Sequence, residues 1–226
     1  MRRILAAALF ALLVVPAAQV HATILTFDIV DPANFKEIST YGTRVNSLSD
    51  ADGSYLMGNG FTPNITSNFR TLSTDPLGDE NYVGFWFNDY GDLVNVAYAA
   101  FNGGLFELTL TPDAGYGVRL NSFDIGGYLR TTREDQPLYI TDANGNLLLD
   151  LGPIDAPGSG HTTVTPALSH VGAIKLYYSS TWNAGIDNIN FDQFVPGTAV
   201  PEPSTIASAG LALVASLAIA RRRRSA

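Results

Sequence analysis

The stretch Leu105-Phe106-Glu107-Leu108-Thr109-Leu110-Thr111 sets Phe106, Leu108 and Leu110 on one side of an extended chain and Glu107, Thr109 and Thr111 on the other. Successive Cβ atoms of a strand point to opposite faces, so this alternation describes a strand with one buried and one outward face. The pattern spreads outward in short runs bounded by Gly, Asn, Asp and Pro: residues 23–29, 82–87, 93–101, 117–129, 138–141, 147–151, 161–165, 173–178 and 186–194 all read as strands. No sustained 3.6-residue period competes with it from residue 23 onward. Asp89-Tyr90-Gly91-Asp92, Asn102-Gly103-Gly104 and Asp142-Ala143-Asn144-Gly145-Asn146 supply turns whose Asn and Gly accept positive φ, which suits antiparallel meander connections.

Ten short strands with one buried face each are satisfied by two packed antiparallel sheets. The sequence therefore predicts an all-β domain, an antiparallel β-sandwich or jelly roll, over residues 23–195. In the last run, Ile186, Asn188, Asn190 and Asp192 oppose Asp187, Ile189, Phe191 and Gln193, and Ile189 and Phe191 are expected to point inward. Residues 34–81, rich in Ser, Thr, Asn and Gly, read as loops with one or two edge strands. No internal repeat of fixed period appears, which argues against a solenoid or propeller.

Six of the thirteen Lys and Arg, but only one of the twenty-one Asp and Glu, lie in the two terminal segments. The domain between them keeps seven basic and twenty acidic side chains, a formal charge of −13. Such a field repels phosphate backbones, so nucleic acid is not an expected partner. The chain has no cysteine, which excludes thiolate metal sites and thiol nucleophiles.

Both ends carry targeting patterns. Met1-Arg2-Arg3, an uncharged apolar run over residues 4–15, and Pro16-Ala17-Ala18-Gln19-Val20-His21-Ala22 make residues 1–22 a signal-peptide helix. It is expected to enter the Sec translocon and to be cut by signal peptidase after Ala22; the apolar run is too short to span a bilayer. After a linker at residues 196–199 come Val200-Pro201-Glu202-Pro203-Ser204-Thr205, an apolar run of 15 residues (206–220) and Arg221, Arg222, Arg223 and Arg224. As a helix the run spans about 22 Å against a hydrocarbon core of roughly 30 Å, a thin transmembrane segment. The arginines at both termini hold both ends in the cytoplasm and place the domain across the membrane.

Residues 200–226, with Pro-Glu-Pro, apolar helix and arginine cluster in that order, resemble the PEP-CTERM sorting signal of Gram-negative bacteria. Pro201, Glu202 and Pro203 match its namesake motif. The resemblance implies transient inner-membrane anchoring and recognition by an exosortase, an integral-membrane cysteine transpeptidase-like enzyme. Removal of the helix then releases the cargo or attaches it at the cell surface, in settings linked to exopolysaccharide and biofilm. Ala114-Gly115-Tyr116-Gly117-Val118, Leu120-Asn121-Ser122-Phe123-Asp124 and Gly185-Ile186-Asp187-Asn188-Ile189 are similar to segments of the sandwich domains common on such proteins.

Candidate chemistry is sparse. Asp28 and Asp31 in the first strand and Asp187, Asn188 and Asp192 in the last would form an oxygen-rich site for a structural Ca²⁺ if the terminal strands are neighbours. Asp142-Ala143-Asn144-Gly145-Asn146 lacks the glycine and glutamate positions of an EF-hand, and with Asp50-Ala51-Asp52-Gly53 reads as a turn. Of the four glutamates before the tail, Glu107 is expected on an outward face, so the carboxylate pair of a glycosidase is not evident. Gly158-Ser159-Gly160-His161 lacks the spacing of a nucleophile elbow and reads as a flexible loop. His161 and His170 sit at strand edges with no triad pattern.

Trp182, in the polar run Ser179-Ser180-Thr181-Trp182-Asn183-Ala184-Gly185, offers a ring face with Asn and Ser neighbours and is the candidate sugar-stacking residue. Trp86, between Phe85 and Phe87, is expected in the core. The leading expectation is a non-enzymatic exported surface or matrix protein that contacts extracellular polysaccharide or simply contributes bulk. The alternative is a secreted carbohydrate-active enzyme on a jelly roll.

Overall fold

The computed structural model describes residues 22–27, 37–46, 60–73 and 78–197. The signal segment before Ala22, Asp28, Asp31, the turn at Asp50 and the whole sorting tail lie outside the described residues. One compact unit ends at Phe194. In chain order the strands are β1 (Thr23–Leu25), β2 (Glu37–Ile38), β3 (Ile65–Ser73), β4 (Val83–Trp86), β5 (Val96–Tyr98), β6 (Gly104–Pro112), β7 (Gly117–Gly127) and β8 (Arg133–Gln136). They continue with β9 (Leu138–Asp142), β10 (Leu147–Asp150), β11 (Ile154–Ala156), β12 (Thr162–Val164), β13 (Leu168–His170), β14 (Ile174–Tyr178) and β15 (Ala184–Phe194). No helix among the described residues is long and apolar enough to cross a membrane.

The strands form a sandwich. One sheet of eight strands runs β12-β7-β15-β5-β4-β2, with β1 added to β15 and β13 to β7; the other, of five strands, runs β10-β9-β14-β6-β3. Every strand pairing within the two sheets is antiparallel among the described residues. A short β8–β11 ribbon stands beside them. The alternation in β6 is realised across the sheet: Phe69, Leu108, Leu176 and Ile140 lie side by side on β3, β6, β14 and β9. All four are buried, as are the facing Phe123 and Ile125 of β7, Ile189 and Phe191 of β15, and Phe85 of β4. Each such side chain contributes about 1.5–3 kcal/mol by leaving water, and this shared layer is what holds the two sheets together.

Several expectations need correction. Ile186 faces the core together with Ile189, because register shifts between Asp187 and Phe191, with Asn188 at φ 50°, change the phase of β15. A bulge puts an extra residue on one strand and switches the face that follows it. Asn102-Gly103-Gly104 is not a meander hairpin; it carries the chain from β5 in the eight-stranded sheet to β6 in the five-stranded one. The sequence reading did not find β2, β3, β8, β11 and β13, although β2 and β3 are edge strands of the kind expected in that region. Asp142 does close a hairpin: its Oδ1 accepts the Asn144 and Asn146 backbone N–H groups at 2.8 Å, and Gly145 takes φ 85°.

Candidate functional site: an aromatic pocket on the outer face

Val96 and Tyr98 point away from the main core, whereas Ala97 between them points into it. They therefore lie on the outer face of the eight-stranded sheet. There, Gly84, Tyr98, Gly185 and Gly126 form one row across β4, β5, β15 and β7. A Cβ on Gly84 would stand 2.5 Å from the Tyr98 ring, and one on Gly185 would stand 2.8 Å from Cδ1 of Tyr90. The three glycines leave a bare floor on which Tyr98 and Tyr90 rest. Burial pushes the phenols of both tyrosines well above the ordinary tyrosine range, so both stay neutral.

On this floor Trp86, Tyr90, Tyr98, Ala100, Phe101, Tyr128 and Trp182 line a cavity of about 310 Å³. The rings face in different directions. Trp86 and Tyr128 are near perpendicular (86°, centroids 6.2 Å apart), and Tyr128 and Trp182 are tilted by 54° at 5.5 Å. Tyr90 lies 5.0 Å from Tyr128 and 6.0 Å from Tyr98. Phe87, 38% exposed, stacks on Trp86 and extends the apolar surface at the rim.

Two loops hold the walls. In the β14–β15 loop Ser179 takes φ 56°; its hydroxyl lies 2.9 Å from Gln136 Oε1 and accepts the Thr181 N–H at 3.1 Å. Thr181 donates to Asn102 Oδ1 at 2.8 Å, and the Tyr90 hydroxyl donates to the Trp182 carbonyl. The β4–β5 loop carries Tyr90 and is fastened by Gly91 N–H donating to Gly127 O at 3.0 Å. It is also fastened by His161, whose Nδ1 lies 2.8 Å from Asp92 Oδ1. That hydrogen bond, helped by the charges of Asp124 and Asp92, raises the His161 pKa despite partial desolvation.

Trp182, the candidate sugar-stacking residue, lines this cavity, 36% exposed and packed on Tyr128. Trp86 is not a core residue; it lines the same pocket, its indole N–H donating to Asn88 Oδ1 at 3.1 Å. Tyr90, Tyr98, Phe101 and Tyr128 were missed. The available signal was the set of glycines at strand positions 84, 126 and 185, which marks a close approach of other groups.

The terminal strands β1 and β15 are neighbours as expected, with Thr23 opposite Phe191. Asp187 and Asp192 are buried; Asp187 Oδ1 accepts the Asn188 N–H, and burial raises the Asp192 pKa. Their proposed partners Asp28 and Asp31 lie outside the described residues. Among the described residues no group of three His, Asp or Glu is placed to hold a metal ion.

Glu107 is on the outward side of β6, but it is not exposed: 1% of its surface meets water. Arg70 Nε donates to its Oε1 at 2.6 Å, and Arg70, Glu107, Tyr177 and Tyr139 form one cross-strand row. Burial pushes the Glu107 carboxyl up, and hydrogen bonds from Arg70 and Tyr177 more than offset that, leaving its pKa lowered. Gly158 in the expected flexible loop packs tightly, since a Cβ there would stand 2.3 Å from the Arg130 backbone.

Among solved structures, an isomalto-dextranase from Arthrobacter globiformis T6 complexed with panose is similar at 9% identity and TM-score 0.33, over 76% of this chain and 34% of that one. TmCBM61 in complex with β-1,4-galactotriose is similar at 12% identity and TM-score 0.20, over 73% of this chain and 90% of that one. Neither likeness bears on the ligand of this chain. No curated protein matches. Residues 199–224 match the family model of the PEP-CTERM protein-sorting motif. The chain therefore carries that motif at its C-terminal end, which implies an exported protein, anchored transiently through this segment and processed by an exosortase.

Proposed function

We propose that this is a surface or matrix protein of a Gram-negative bacterium whose sandwich binds extracellular polysaccharide through the aromatic pocket, as a binding module and not as an enzyme. The observation that carries the reading is the convergence of Trp86, Tyr128 and Trp182 on one cavity at the outer face. Sugars present apolar C–H faces to aromatic rings, and a pocket held by rigid loops loses little entropy on binding. Asn88, Asn102 and Asn183 sit beside the two tryptophans as polar neighbours. The lining among the described residues has no carboxylate, whereas glycoside hydrolysis uses two across the scissile bond. The sorting motif supports the reading in that it implies an exported protein, as contact with an extracellular polymer requires.

The test is a glycan array and isothermal titration with the full-length chain. Binding is expected for wild type and for Tyr139→Ala on the opposite sheet, and is expected to weaken at least tenfold in Trp182→Ala. Equal binding by wild type and Trp182→Ala, or no binding to any glycan by the folded wild type, would overturn the reading.

A further inference from the structure

Resting on that reading, we infer that the pocket selects a neutral sugar residue bearing a methyl group, whether as a 6-deoxy, an O-methyl or an N-acetyl substituent, over its hydroxylated or acidic counterpart. The lining is six aromatic side chains and Ala100. Of their polar atoms, the Tyr90 hydroxyl is engaged by the Trp182 carbonyl and the Trp86 indole by Asn88. The Tyr98 and Tyr128 hydroxyls and the Trp182 indole N–H are the other polar side-chain atoms of the lining, so an unmodified hexose entering the cavity buries more hydroxyls than these atoms can meet. A methyl group meets no such cost, and its transfer out of water is favourable.

The ring geometry points the same way. A flat pyranose face stacks on one ring or on parallel rings; here only Tyr90 and Tyr98 on the floor are near parallel, at 18°, whereas on the walls Trp86 stands at 86° to Tyr128 and Trp182 at 54° to it. Faces turned in three directions enclose a compact apolar group. The volume of about 310 Å³ is at the small end of the roughly 300–1,000 Å³ of ligand pockets, enough for one substituted residue and not for a stretch of chain. The net charge acts in the same sense: the domain is strongly acidic, so a uronate or a sulfated sugar approaches against an unfavourable field.

The experiment uses the folded wild-type chain and matched pairs: L-fucose against L-galactose, L-rhamnose against L-mannose, 3-O-methylglucose against glucose, and N-acetylglucosamine against glucose, with galacturonate as the acidic arm. Titration is expected to show at least one methyl-bearing member binding tenfold or more tighter than its partner, and no binding of galacturonate. Saturation-transfer NMR is expected to show the methyl protons as the most strongly saturated of that ligand, with the effect lost in Trp182→Ala. The four pairs identify which substituent is read. Equal affinity within every pair, with binding still dependent on Trp182, would overturn this inference and leave sugar binding standing. Binding of tetramethylammonium in preference to every sugar would overturn both.

Discussion

The phenol of Tyr178 stands in the core on β14, 1% exposed, and its hydroxyl has no hydrogen-bond partner among the described residues. A buried unpaired hydroxyl costs about 1–3 kcal/mol, so Tyr178→Phe is expected to stabilise the fold by roughly 1 kcal/mol, read as a higher urea midpoint at unchanged slope. Glu107 is the opposite case, a buried carboxylate whose oxygens are met by Arg70 and by Thr109. The side of the sheet that Glu107 takes was legible from the alternation in β6; its burial was not. Burial there depends on Arg70 from β3 and Tyr177 from β14, which only cross-strand register brings alongside. Trp182 was legible for a similar local reason, an indole set among polar residues, whereas Trp86 between two phenylalanines gave no local sign of facing outward.

Strands were legible wherever alternation ran for five or more residues, as in β6, β7 and β14. Short strands were missed where they offer no run of apolar residues, as in β2, β8, β11 and β13, whereas the equally short β4, β5 and β10 are mainly apolar and were read as strands. The nine-residue β3 (ITSNFRTLS) escaped because, despite buried Ile65 and Phe69, its remaining positions are mainly polar. The β4–β5 loop is the element on which the pocket most depends, since it carries Tyr90 and is clipped to His161 through Asp92. His161 faces Asp92 and Asp124, and its folded-state pKa is raised. The clip is therefore fully present below the unfolded histidine pKa of about 6.5 and is lost as pH rises through the raised value. Ligand affinity measured from pH 5 to 9 is expected to fall on the alkaline side of that window in wild type and to stay flat in His161→Gln.

At the scale of the whole chain, the sorting tail was legible in full because its three parts are contiguous in sequence. The pocket was not, because it gathers side chains from the last residues of β4 and β5, from the β4–β5, β5–β6 and β14–β15 connections and from Tyr128 just after β7. For the tail the expected outcome is cleavage: intact-mass spectrometry of surface material from exosortase-positive cells should find a chain lacking residues 206–226. Glu202→Ala or removal of Arg221 to Arg224 should retain them. A full C-terminus on wild-type surface material would contradict exosortase processing.

Trp182 stands two residues before β15, and the chain leaves the sandwich after Phe194 at the far end of the same strand. Eleven extended residues span about 35 Å. On the proposed reading, a ligand held at Trp182 and an attachment beyond Phe194 would load the β15 backbone lengthwise, a strand that β7 flanks over nine paired positions. Along β15 such a load would act in shear, the direction in which the hydrogen bonds to β7 resist together.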